Sequence, residues 1–140
     1  MMDMDKEYLL NVIYKIGDKI NEKRKSAFKM AISCFYELVN SLKDDILFLQ
    51  RDTKYGKDYV NIPYDKFVSV LKNLLDGANI EPKQQEKIIK MMFALGLVNE
   101  DSYRKYRHII VNNNSFRIVR INKCFTEIIL DEIKSKEAGD

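Results

Sequence analysis

The sequence predicts a mainly α fold with a small β-hairpin, an α+β domain. Segment after segment repeats apolar residues at three- and four-residue steps, as one face of a helix requires. From Tyr103 to Ile121 the character changes to aromatic and β-branched residues, which favour strands. Asn112 to Asn114 and Ser115 divide that stretch, and asparagine tolerates the positive φ of a tight turn. At 140 residues the chain is the size of one domain with attached helices.

The elements follow in order. Asp5 to about Lys25 places Leu9, Ile13, Ile16 and Ile20 on one narrow helical stripe, and Ser26 is suited to cap a second helix. From Ala27 to about Gln50, Phe28, Ile32, Phe35, Val39, Leu42, Ile46 and Leu49 recur at alternating steps of four and three. Such a seam is either the core face of a long helix or the contact of a homodimer, and one helix can serve both. Arg51 to Asp58 has a glycine, scattered charge and no period, so it reads as a loop. Tyr59 to Ile62 is a short strand stopped by Pro63.

Phe67, Val70, Leu71, Leu74 and Leu75 then mark a helix that starts at Tyr64-Asp65 and ends at Asp76-Gly77, with Gly77 expected in the left-handed conformation. Glu81-Pro82 opens another, whose apolar face is Ile88, Met91 or Met92, and Leu95, and Gly96 closes it. Tyr103 to Val111 and Phe116 to Ile121 form the hairpin. Asn122 to about Lys136 is a terminal helix with Phe125, Ile128, Ile129 and Ile133 inward.

Helix, short strand, helix, turn, helix, hairpin is an order that resembles the winged-helix superfamily, over about Ala27 to Ile121. The phrase Ile88-Ile-Lys-Met-Met-Phe-Ala-Leu-Gly-Leu-Val98 is similar to the end of a winged-helix recognition helix running into its wing. The resemblance implies residues 1–25 as an N-terminal arm or cap, 26–122 as a winged-helix core and 123–140 as a C-terminal helix and tail. The turn from Asp76 to Glu81 is longer than a tight helix-turn-helix has.

Composition narrows the function. No run approaches the 18 or more apolar residues of a membrane span, and the acidic start is unlike a secretory leader, so a cytoplasmic protein is expected. His108 is the single histidine and reads as a hairpin residue, leaving no multi-histidine metal site and no catalytic triad with a spare. Cys34 and Cys124 stand apart in apolar runs, as core thiols do. No glycine-rich phosphate loop occurs, and Asp44-Asp45 reads as surface charge. These absences predict no enzyme, no metal and no cofactor.

Charge placement gives the positive signal. The net charge of +3 decides nothing, but from Ser102 through Thr126 stand Arg104, Lys105, Arg107, Arg117, Arg120 and Lys123 with no acid among them. Such a block on a hairpin suits phosphate contact or is simply a solvated face. Lys83, Gln84, Gln85, Lys87 and Lys90 lie on the helix that the resemblance makes the recognition helix; glutamine can read adenine and lysine can meet phosphate. The expectation is a sequence-specific double-stranded DNA-binding protein acting as a homodimer. It would be a transcription regulator or a replication, partition or conjugation accessory factor of a mobile element. The alternative is a protein-interaction module, such as a phage or plasmid inhibitor, on the same scaffold.

Overall fold

The computed structural model describes residues 22–46, 48–52 and 57–139. The expected stripe Leu9, Ile13, Ile16 and Ile20 lies outside them. The chain is mainly helical with one antiparallel sheet. Its elements are α1 (Glu22–Leu42), a 3-10 turn (Lys43–Asp45), β1 (Phe48–Asp52), β2 (Lys57–Pro63), α2 (Tyr64–Gly77), α3 (Pro82–Ala94), a short α4 (Glu100–Arg104), β3 (His108–Val111), β4 (Asn114–Asn122) and α5 (Lys123–Gly139).

α1 is the central support. Ala27, Phe28, Ala31, Phe35, Leu38, Val39 and Leu42 recur at helical spacing and are buried. The helix packs against α2, α3 and α5. The seam is therefore interior core of one chain. A homodimer formed through Phe28, Phe35, Val39 and Leu42 is not available, because those side chains are already covered.

Three expectations near α1 are corrected. Ser26 does not cap a helix: it lies inside α1, with its Oγ 3.8 Å from the Met30 sulfur, because the helix-favouring residues from Glu22 onward continue without a break. The long helix stops at Leu42, so Ile46 and Leu49 leave the seam; Ile46 is extended and Phe48–Asp52 is a strand. A run of four apolar residues fits either period, and pairing with β2 from Phe48↔Asn61 to Asp52↔Lys57 decides it. Arg51, Asp52, Lys57 and Asp58 thus belong to strands rather than to a loop.

The sheet order is β1-β2-β4-β3. β2 pairs with β4 from Tyr59↔Asn122 to Pro63↔Ile118, and Val60, Ile62, Val119 and Ile121 are buried in the core shared with the helices. Two helix ends set the geometry of the α2–α3 pair. Asn79, at φ 57°, takes the left-handed position expected of Gly77, while the Ile80 N–H donates to the Leu75 carbonyl at 3.3 Å and the Asn79 N–H to that of Asp76 at 3.0 Å. α2 runs two residues further than a left-handed Gly77 implied, and asparagine adopts that conformation more readily than other residues with side chains. Gly96, at φ 74°, ends α3 in the same way, with the Leu97 N–H bonded to the Met92 carbonyl at 3.0 Å.

The hairpin is shorter than expected. Tyr103 and Arg104 are helical, because Asn99 caps α4 by accepting the Ser102 N–H at 2.8 Å, and β3 begins only at His108. Val98 bridges Ile121, the Asn99 N–H donates to the Arg120 carbonyl and the Ile118 N–H to that of Arg107, each at 2.9 Å. Residues 100–106 are therefore an excursion from the strand that lies beside β4. Asn112 and Asn113, at φ 52° and 66°, make the two-residue turn. Asn122 caps α5, accepting the Phe125 N–H at 3.1 Å.

Placing a charge in the α1 core tests the seam. Val39→Asp is expected to abolish the cooperative unfolding transition in circular dichroism, since Val39 is buried and a carboxylate there is cut off from water. A mutant that keeps the transition while its particle mass halves in sedimentation would reassign the seam to a dimer.

Candidate functional site

α3 divides cleanly. Ile88, Met91 and Met92 are buried, and Lys83, Lys87, Lys90 and Ala94 form an exposed row at steps of four, three and four, with Glu86 exposed beside it. Lys90 pairs with Glu86 at 3.3 Å; among the described residues Lys83 and Lys87 carry no ion pair. Gln84 is half-buried. Gln85 is used internally: its Nε2 donates to Asp76 Oδ1 at 2.9 Å and to the Ile80 carbonyl at 2.7 Å, pinning the turn between α2 and α3. Base reading by Gln85 is thereby displaced by a structural role.

The hairpin block is less free than its acid-free window suggested. Arg104 pairs with Glu100 at 2.7 Å, Lys105 with Asp101 at 3.3 Å, Arg107 with Asp101 at 2.7 Å, and Lys123 with Glu127 at 3.8 Å. The acids lie just outside the window, and helical i,i+4 spacing brings Glu100, Asp101 and Glu127 back onto it. An extended Tyr103 to Arg107 would have kept them apart. Arg107 and the neighbouring Lys105 hold the Asp101 carboxyl below its ordinary value, the hydrogen bond from Arg107 being the main cause.

Arg117 has a different setting. Its guanidinium carbon lies 3.4 Å from the ring centre of Tyr64 and 3.8 Å from that of Tyr106. Tyr106 stacks on His108 with centroids 5.7 Å apart and planes 17° from parallel. Tyr64 in turn meets Tyr103 at 6.4 Å, and Tyr103 contacts Phe67 at 6.2 Å and Phe93 at 5.5 Å. Burial raises the Tyr103 phenol above its ordinary value. Arg104 lies 5.4 Å over Phe93, so the cluster abuts the C-terminal end of α3. Tyr64 and Phe93 were invisible as members of this group, since no local spacing links them to residue 117.

The register His108↔Arg117 and Ile110↔Ser115 puts these four residues on one face of the hairpin. On it Ile110 is 74 % exposed, and Tyr106, just before the strand, is 70 % exposed. Arg120 is half-buried and its Nε has no hydrogen-bond partner among the described residues. It therefore stands apart from Arg104 and Lys105, which are exposed.

Of the two cysteines expected as core thiols, Cys34 packs against the core and Cys124 does not. Cys34 is half-buried, and burial, helped by Glu37, pushes its thiol up to about 11; Cys124 is exposed on α5. Among the described residues no group of three or more His, Cys, Asp or Glu is arranged to hold a metal ion, and no helix is long and apolar enough to cross a membrane. Comparison with protein-family models, curated proteins and solved structures finds no match.

The Asp101 pairings carry a pH signature. A carboxyl lowered by folding contributes stability that is present above its unfolded value, ordinarily 3.8, and is lost as pH falls through the folded value. NMR titration of side-chain carboxyls is expected to show Asp101 with a midpoint below 3.8 that rises in Arg107→Gln. An unchanged midpoint in that variant would remove Arg107 as the cause.

Proposed function

We propose that this chain is a winged-helix protein that binds double-stranded DNA, with α3 in the major groove and the β3–β4 hairpin against the backbone. One observation carries the reading: α3 follows α2 across a pinned turn and presents an exposed row containing Lys83, Lys87 and Lys90, with the hairpin following after the short α4. The sheet order β2-β4-β3 agrees with a wing laid against a helix-turn-helix. A helix fits the major groove, about 12 Å wide, and lysines on its outer face meet the phosphates bordering it.

The self-paired cations bear on strength rather than on kind. The side chains of Arg104, Lys105 and Arg107 remain 51 %, 68 % and 43 % exposed, and ion pairs that exposed contribute little to folding. A phosphate can therefore replace the carboxylate. The cost is a weaker local field, which moves the larger share of the affinity to Lys83 and Lys87. Selection of bound sites from random duplex would identify whether the target belongs to transcription or to replication, partition or conjugation.

An interaction module for an acidic protein surface is the second reading, favoured by the exposure of Ile110 and Tyr106. A salt series on mixed duplex separates the two. DNA binding falls log-linearly with salt, and each of Lys83→Ala and Lys87→Ala is expected to lower the slope by about 0.9. Asp101→Asn is expected to raise affinity by releasing Arg107 and Lys105. A Lys83→Ala/Lys87→Ala double variant with unchanged duplex affinity would overturn the proposal.

A further inference from the structure

Tyr106 is braced by neighbouring side chains and left open, a combination that packing alone does not explain. A tyrosine gains by burying its ring, yet this one is 70 % exposed. It is not a loosely placed side chain. Arg117 braces it at 3.8 Å, Tyr64 braces Arg117 at 3.4 Å, and Tyr64 is tied through Tyr103 to Phe67 and Phe93 in the body of the domain. His108 adds a second flat ring, nearly parallel to that of Tyr106, and Ile110 extends an exposed apolar edge two residues on.

We propose that Tyr106 and His108, braced by Arg117, form a stacking site for an unpaired base of a single nucleic-acid strand. Stacking needs an open, preorganised π face, and preorganisation removes the ordering cost that otherwise offsets binding. The surrounding charge suits a phosphate beside the base. Lys105 and Arg107 flank Tyr106 in sequence, and Arg117 has no carboxylate partner among the described residues. Asp101 is the opposing charge, and its pairs with Arg107 and Lys105 are exposed enough for phosphate to exchange with it. A partner protein's apolar side chain would desolvate the cations around the ring and supply no anion for Arg117, which disfavours it. Because the cluster adjoins Phe93, a strand peeling away from a duplex seated on α3 would pass this site. The stacking site does not depend on that duplex.

The test uses the full chain and labelled oligonucleotides of about 12 nucleotides, within the span a stacking groove covers. By fluorescence anisotropy, oligo-dT or oligo-rU is expected to bind about tenfold more tightly than an abasic strand of equal length. Tyr106→Ala is expected to lower the affinity to the abasic level, and Tyr106→Trp to retain it. The ratio of dT to rU binding says whether DNA or RNA supplies the strand. Equal binding of base-bearing and abasic strands, equal binding by wild type and Tyr106→Ala, or no binding of either strand would overturn the site. The duplex reading is judged separately, by Lys83 and Lys87 on duplex, and stands or falls without Tyr106.

Discussion

Burial of the α1 stripe is the constraint from which the arrangement follows. Each large side chain taken from water there, such as Phe35 or Leu42, contributes about 1.5 to 3 kcal/mol before conformational entropy is counted. Only α2, α3, α5 and the sheet together can cover that surface. Ile88, Met91 and Met92 are the part of α3 that α1 requires, and committing them inward forces Lys83, Lys87 and Lys90 outward. The charged row is thus a by-product of core geometry. The pinned turn from Asp76 to Glu81 then fixes where that row points.

The same logic explains the second surface. Asn99 caps a helix where an uninterrupted strand would otherwise run, and the excursion through residues 100–106 carries Tyr103 onto Phe67 and Phe93. Ser102 ties the excursion down: it is fully buried, its hydroxyl donates to the Asn99 carbonyl, and it accepts the Arg120 N–H, each at 2.9 Å. Tyr106 leaves the end of this excursion facing solvent. Arg117, opposite His108, reaches it from the neighbouring strand. A cation in an aromatic cleft keeps its charge while shedding part of its water, which suits it to order rings without a carboxylate.

Where local chemistry and tertiary packing agreed, the sequence was readable. The Phe67, Leu71 and Leu75 stripe, Pro82 at the start of α3, Gly96 at its end and the asparagine turn all acted through their own backbone or their own face. The misreadings arose where a contact outside the local hydrophobic pattern decided the state, whether a distant strand or a nearby cap. Ile46 to Leu49 fit a heptad, but β2 was waiting to pair with Phe48 onward. Tyr103 to Arg107 looked like strand, yet the Asn99 cap two elements upstream of the turn made it partly helix. That single change of state brought Glu100 and Asp101 within reach of Arg104, Lys105 and Arg107, so a block that was acid-free in sequence is partly neutralised in space. Gln85 is committed inward, its partner Asp76 belonging to the preceding helix.

The central claim, that α3 and the hairpin form the face presented to DNA, is met most directly by backbone amide chemical-shift mapping during titration with mixed duplex at low salt. The largest shifts are expected along the exposed row from Lys83 to Ala94 and around Asn112 and Asn113. Shifts gathered instead on α5 and the 3-10 turn after α1, or a spectrum that does not respond to duplex, would contradict it.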